Sequence, residues 1–162
     1  MRIGIIGSGN IGKTLARKFS AGGHNVLVAN SRGPETIDAE TLEFGARAAT
    51  SSEAVKGADV VILSIPFARI PTLANLLVSE VPGEAVVIDT SNYYPHRDGK
   101  IDAIERGQVE SLWVAERLGR PIVKAWNAVL AGTFREKGVP AGTPGRIAIP
   151  SRRIPTRRSV WG

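Results

Sequence analysis

Gly7-Ser8-Gly9-Asn10-Ile11-Gly12 reads GxGxxG, and it lies between an apolar run, Ile3, Ile5 and Ile6, and a stretch in which Ile11, Leu15 and Phe19 recur at four-residue spacing. The β-branched run, which begins almost at the first residue, predicts a buried central parallel strand. The repeat behind it, with Lys13, Arg17 and Lys18 between its apolar positions, predicts a helix with one apolar face. Gly22-Gly23 then supplies a left-handed stop. Strand, glycine turn, helix and glycine cap follow in the order that holds a dinucleotide.

The spacing has a chemical reason. Gly7 permits the tight turn out of the strand, Gly9 lets backbone N–H groups approach a pyrophosphate with no Cβ between them, and Gly12 lets helix and strand pack closely. The start of the helix then faces the negative charge. A lone GxGxxG is a weak signal with a plain β-to-α turn as its alternative, and the flanking strand and helix are what favour a binding site here.

Length and composition set bounds. At 162 residues, 43% hydrophobic and without cysteine, the chain suits one α/β domain and excludes disulfides and thiolate metal sites. No apolar run approaches the ~18 residues of a membrane span, and strand pattern from the outset leaves no room for a signal peptide, so a cytoplasmic protein without membrane attachment is expected. His24 and His96 are far apart and lack an acidic pair at ligand spacing, so no metal is expected. The formal charge of +6 is concentrated at one end: Arg152, Arg153, Arg157 and Arg158 lie in 151–162, and residues 1–150 hold 17 basic against 15 acidic side chains. Nucleic-acid binding by the folded body therefore has little support.

Asn25 to Ala29 reads as the second strand, and its tip sets the cofactor. NAD-type sites place an acid about 20 residues beyond the glycines, whereas NADP sites replace it with neutral and basic groups. Here the strand ends Asn30-Ser31-Arg32-Gly33, with a hydroxyl and a permanently charged planar fork suited to an extra phosphate. The site is read as NADP-preferring, the alternative being a polar loop with a solvated arginine. Glu35 to Phe44 is weakly helical, Ala46 to Ala48 a short strand, and Thr50 to Ser52 the cap of a brief helix through Lys56.

Asp59 to Pro66 is apolar on both faces, hence a central strand whose carboxyl end brings Ser64, Ile65 and Pro66 to the dinucleotide, unless the last residues simply end the strand. Ile70 to Val78 is the next crossover helix, with Pro71 in its first turn. Ala85 to Asp89 is another buried strand, delivering Thr90-Ser91-Asn92-Tyr93-Tyr94-Pro95 to the same edge as a candidate nicotinamide or substrate loop; a capped surface turn is the alternative. His96 to Gly107 reads as exposed loop and short helix, and Val109 to Leu118 as a helix. Ile122 to Asn127 is a strand in which Lys124 and Asn127 are candidates for orienting cofactor or substrate, with Trp126 in the core. Ile147 to Pro150 is the expected last strand. The fold class is α/β, a Rossmann-type doubly wound, mainly parallel sheet in one domain, 1–150, followed by a basic tail, 151–162.

Six segments together, RIGIIGSGNIGKTLA (2–16), NSRG (30–33), ADVVILSIP (58–66), IDTSN (88–92), IVKAWNAV (122–129) and GRIAIP (145–150), make the sequence resemble the coenzyme F420-dependent NADP oxidoreductases and the related reductase domain of six-transmembrane ferric reductases. The resemblance covers about residues 1–150. It implies an NADPH-binding domain that exchanges a hydride between nicotinamide and a flavin-like ring, the deazaflavin F420, as its small-molecule acceptor, with homodimerisation usual. By position, Ser8, Gly9, Asn10 and Ile11 would hold the pyrophosphate, Ser31 and Arg32 the extra phosphate, and Ser64, Pro66, Asn92 and Asn127 the nicotinamide and acceptor. Ring-to-ring hydride transfer needs alignment more than a strong acid or base, so positioning residues are expected and no general base.

After GRIAIP, relatives continue with an acidic segment and a helix, whereas this chain reads Ser151-Arg-Arg-Ile-Pro-Thr-Arg-Arg158. A change of reading frame and a native, disordered basic tail are the two readings of that departure. A shortened family C-terminus would remove part of the acceptor pocket, which leaves a non-catalytic NADP-binding module as the alternative function. An arginine-tail nucleic-acid binder is the third.

Overall fold

The computed structural model describes residues 1–156. The apolar run after Met1 forms β1 (Arg2–Ile6), and the glycine turn leads into α1 (Asn10–Ala21) and back to β2 (Asn25–Ala29). A 3-10 turn at Pro34–Thr36 and the short α2 (Ala39–Leu42) replace the longer helical stretch expected there. Next come β3 (Arg47–Ala48), α3 (Ser51–Val55) and β4 (Val60–Leu63). Thr50 and Glu53 close a reciprocal capping box on α3, the cap expected from Thr50-Ser51-Ser52.

The chain beyond β4 departs from expectation. A 3-10 helix occupies Phe67–Leu73 and only then does α4 (Ala74–Glu80) begin, because Pro71 has no N–H to give and the tighter winding leaves the ladder to start after it. Then follow β5 (Val86–Asp89), α5 (Pro95–Asp98), α6 (Asp102–Glu105), α7 (Glu110–Leu118), β6 (Ile122–Ala125), α8 (Ala131–Lys137) and β7 (Ser151–Ile154).

These strands make one sheet in the order β3-β2-β1-β4-β5-β6-β7. β1 pairs in parallel with β2 and β4, β4 with β5 and β5 with β6, while β7 runs antiparallel to β6. This is the Rossmann-type doubly wound order, whose direction reverses between β1 and β4 and opens a crevice at the carboxyl ends of those strands. Alternate strand residues feed two apolar layers. Ile6, Leu27, Val61, Leu63 and Val87 pack against α3, α4 and α7, whereas Ile3, Ile5, Val26, Val28 and Ile62 pack against α1 and α8. Gly4 lies in β1 because the α3 backbone crosses it: a Cβ there would sit 2.2 Å from the Ala54 carbonyl oxygen.

The sheet closes on Ser151–Ile154 instead of the expected stretch Ile147 to Pro150. Ile147 and Ile149 are half-buried against the α1 and α8 layer without strand pairing, while Ile154, opposite Ile122, buries the one apolar side chain of β7. Four residues of the segment read as a tail are thus sheet, so the boundary at 150 falls before the last strand. The remainder of that reading, at 157–162, lies outside the described residues.

Candidate functional site

The carboxyl ends of β1, β2 and β4 border a cavity of about 590 Å³. Its floor is the glycine turn, and each glycine there has a different constraint. Gly7 has φ +111°, and a Cβ on it would lie 2.0 Å from the Ser64 carbonyl oxygen. Gly12, on the first turn of α1, would drive a Cβ to 2.0 Å from the Gly7 carbonyl oxygen. Gly9 is the reverse case: nothing lies within 4 Å of its Cβ position, and it borders open space. Gly9 caps α1, no side chain bonds to the helix start and its first turn holds no acid. The first-turn N–H groups of Asn10, Ile11 and Gly12 are therefore uncapped by side chains, and the open space at Gly9 leaves that helix start accessible to an anion.

Asn30, at the tip of β2, ties the two walls of this cavity together. Its amide donates to Ser8 Oγ at 3.3 Å and to Thr36 Oγ1 at 2.9 Å, and its Oδ1 accepts the Arg32 N–H at 2.9 Å. That last bond is an Asx turn, which holds Ser31 and Arg32 exposed at the mouth. No carboxylate lines the cavity, and among the described residues Arg32 makes no ion pair. The opposite wall includes Arg69, Thr72 and Leu73 from the 3-10 helix, with Ser51 nearby. None of these was read from the sequence as lining a site: the helix expected there starts at Ile70, after Arg69, and Ser51 was read as part of a helix cap; the Pro71 position was the available signal for the tighter turn.

Gly9, Ser64, Ile65 and Pro66 also line a second cavity of about 340 Å³, so the two are contiguous along the sheet edge. There Asn92 Nδ2 donates to the Asn127 carbonyl at 2.8 Å, and Asn127 Nδ2 approaches Asn92 Oδ1 at 3.4 Å. Trp126 has φ +59°, the one positive φ outside glycine among the described residues, and its indole meets Phe19 edge-on at 6.2 Å. It is half-buried, both part of the apolar layer and a wall of the cavity. Tyr94 and Leu130, both exposed, stand at the rim.

Lys124, expected to orient a ligand, does not reach this cavity. Its ammonium lies 2.7 Å from Asp89 Oδ2 and donates to the Ser91 carbonyl, inside the sheet. The loop it braces is further held by Asp98, whose side chain is 1% exposed and accepts the Tyr94 N–H at 2.9 Å and the Ala68 N–H at 3.3 Å. Burial, the largest influence on Asp98, pushes its carboxyl up, but the hydrogen bonds from Arg97 and those two N–H groups together hold it below the usual aspartate range.

Neither cavity is lined by a histidine, acid or lysine. What the arrangement supplies is an anion-ready helix start, a cationic mouth and a partly apolar chamber beyond. Of the residues lining the two cavities, the Tyr94 phenol at the rim of the second is the one ionisable group besides the arginines.

A family profile described as NADP oxidoreductase, coenzyme F420-dependent, matches residues 2–93. Among solved structures, a hypothetical protein from Sinorhizobium meliloti is similar at 32% identity and TM-score 0.71, over 86% of this chain and 67% of that one. A protein provisionally described as an F420-dependent NADP reductase, from Arthrobacter sp., superposes with TM-score 0.71 at 19% identity over 99% of this chain and 76% of its own. Glycerol-3-phosphate dehydrogenase from Saccharomyces cerevisiae does so with TM-score 0.61 at 18% identity over 91% and 51%. The last two show the fold. No curated protein sequence matches.

Proposed function

The chain belongs to the coenzyme F420-dependent NADP oxidoreductase family, and from that premise we propose that it passes a hydride between NADP(H), seated across the glycine turn, and a deazaflavin or flavin-like acceptor in the second cavity. The observation that supports this reading is that the two cavities share Gly9 and Ser64–Pro66 in their linings, so that a ring lodged past the pyrophosphate would lie toward the Asn92–Asn127 pair.

The nicotinamide, when bound, supplies or accepts the hydride. The chain's own residues do the rest. The α1 start, with Ser8, Gly9, Asn10 and Ile11, holds the diphosphate, and Ser31 and Arg32 meet the extra phosphate that separates NADP from NAD. Ser64, Ile65 and Pro66 form the shared wall on which the ring turns from one cavity into the next. Asn92 and Asn127, each fixed by the other, present amides to the carboxamide or to the acceptor edge. Trp126, Val129 and Leu130 give that chamber an apolar side. A cytoplasmic homodimer is part of the proposal, carried over from the family's habit of dimerising; among the described residues no helix is long and apolar enough to cross a membrane.

The test is calorimetric titration with NADPH and NADH, followed by addition of oxidised and reduced deazaflavin. Tight NADPH, weaker NADH and turnover with the deazaflavin are expected. Binding of neither nucleotide would overturn the crevice assignment, and NADPH binding without transfer to any flavin-like acceptor would overturn the reductase.

A further inference from the structure

The first cavity has a second guanidinium in its wall. Arg69 lies on the 3-10 helix Phe67–Leu73, across the space from the Ser31-Arg32 tip. In such a helix residues three apart eclipse one another, so Arg69 and Thr72 share a face, and both line the cavity. The main chain beneath Arg69 is pinned on three sides. Its N–H donates to the Pro66 carbonyl at 2.9 Å, its carbonyl accepts Thr72 Oγ1 at 2.6 Å, and the Ala68 N–H beside it donates to buried Asp98 at 3.3 Å. The guanidinium itself is exposed and makes no ion pair among the described residues. A cation held at a fixed root, with no carboxylate in the cavity to receive it, is set to meet a ligand.

We propose that Arg69 binds the adenine of the dinucleotide, its planar guanidinium lying over one face of the purine while Ile65 and Leu73 supply apolar surface beside it. This deepens the nucleotide reading above and rests on it. Arg32 and Arg69 then divide the work: Arg32, fixed by the Asx turn of Asn30, reads the extra phosphate, and Arg69 reads the base common to both nucleotides. The chemistry suits the division. A guanidinium stacks on an aromatic face with a gain that grows as water leaves, and the apolar surface lies on the 3-10 helix side of the cavity, not at the polar tip.

The experiment is a set of dissociation constants for NADPH and NADH on wild type, Arg69→Ala, Arg32→Ala and the double variant, with thermal unfolding confirming that each is folded. Arg69→Ala is expected to weaken NADPH and NADH by the same factor, about threefold to thirtyfold. Its effect on NADPH is expected to multiply with that of Arg32→Ala, as for two groups on separate parts of one ligand. A loss confined to NADPH, or a double variant no weaker than Arg32→Ala alone, would place Arg69 on the phosphate and overturn the proposal. Unchanged affinity for both nucleotides would overturn it too. If wild type binds neither nucleotide, the crevice assignment itself falls, and this inference with it.

Discussion

Lys124 Nζ sits 2.7 Å from Asp89 Oδ2, joining neighbouring strands at a point where their side chains are 12% and 0% exposed. The β5–β6 register sets them opposite each other. The other Asp89 oxygen accepts the Ser91 N–H at 2.9 Å and its hydroxyl at 2.7 Å, so one carboxylate anchors the start of the loop that carries Asn92. Removing the cation alone leaves that carboxylate buried and uncompensated. Lys124→Met is expected to cost about 3–5 kcal/mol, read as a lower urea midpoint at unchanged slope, and Asp89→Asn/Lys124→Met should recover part of it. A change under about 1 kcal/mol would show that water reaches the pair.

The glycine turn separates folding from binding by single methyl groups. Gly12→Ala forces a Cβ to 2.0 Å from backbone that cannot retreat, and is expected to destabilise by about 3 kcal/mol or more. Gly9→Ala has open space around its Cβ and an ordinary extended backbone, so its melting temperature should stay near wild type. The same methyl would stand where the diphosphate lies, and NADPH should bind at least about tenfold more weakly, equivalent to about 1.4 kcal/mol. Undiminished NADPH affinity in folded Gly9→Ala would move the diphosphate elsewhere.

This contrast also shows what the sequence alone carries. The GxGxxG turn was legible because strand, turn and helix are local, and each glycine answers to a neighbour within a few residues or to β4, itself a strong apolar run. The position of Ser31-Arg32 just past the second strand was legible for the same reason. Asn30's bond to Ser8 and Lys124's to Asp89 depend on strand neighbours fixed only by the sheet order, and spacing along the chain does not encode that. α8 carries a glycine and three charged side chains in seven residues, too weak a period to read; packing of Phe134 on α1 makes it a helix. At the C-terminal end, Ile147-Ala148-Ile149 is the better strand by composition, yet β7 forms on Ser151–Ile154, where backbone pairing to β6 is satisfied and Ile154 is buried.

Arg32→Ala tests the cofactor choice directly. A charge-assisted bond to phosphate contributes about 1.5–3 kcal/mol, so NADPH should weaken by roughly tenfold to a hundredfold. NADH lacks the phosphate and should be little affected. Titration of both nucleotides decides, and equal losses would mean that Arg32 meets a part of the ligand the two share.

Asp98 gives the fold a defined acid response. Its carboxyl titrates below the ordinary aspartate value of about 3.9, so the native state favours the ionised form relative to the unfolded chain. The stabilisation is present in full above that ordinary value and is lost as pH falls through the lower native one. Asp98→Asn should therefore be less stable than wild type at pH 7, by about 1–2 kcal/mol, with the gap narrowing below about pH 4. Denaturant melts across pH 2–7 would show it; a gap independent of pH would mean that the charge is not what holds Tyr94 and Ala68.

Asn92 is the residue whose loss should separate binding from transfer. Its amide donates to the Asn127 carbonyl at 2.8 Å, its own carbonyl accepts Arg97 Nη2 at 2.8 Å, and the Asp89 network fixes the residues before it. These bonds locate the wall of the second cavity and touch none of the groups assigned to the diphosphate or the extra phosphate. Asn92→Ala leaves Asn127 without its partner and lets that wall shift. NADPH affinity, dominated by the first cavity, should stay close to wild type, whereas kcat with a deazaflavin acceptor should fall by up to about a hundredfold, the cost of misplacing reacting rings by about an ångström. Stopped-flow hydride transfer alongside NADPH titration separates the two readouts. Parallel losses in affinity and rate would place Asn92 in the nucleotide cavity, and an unchanged rate would remove it from the reaction.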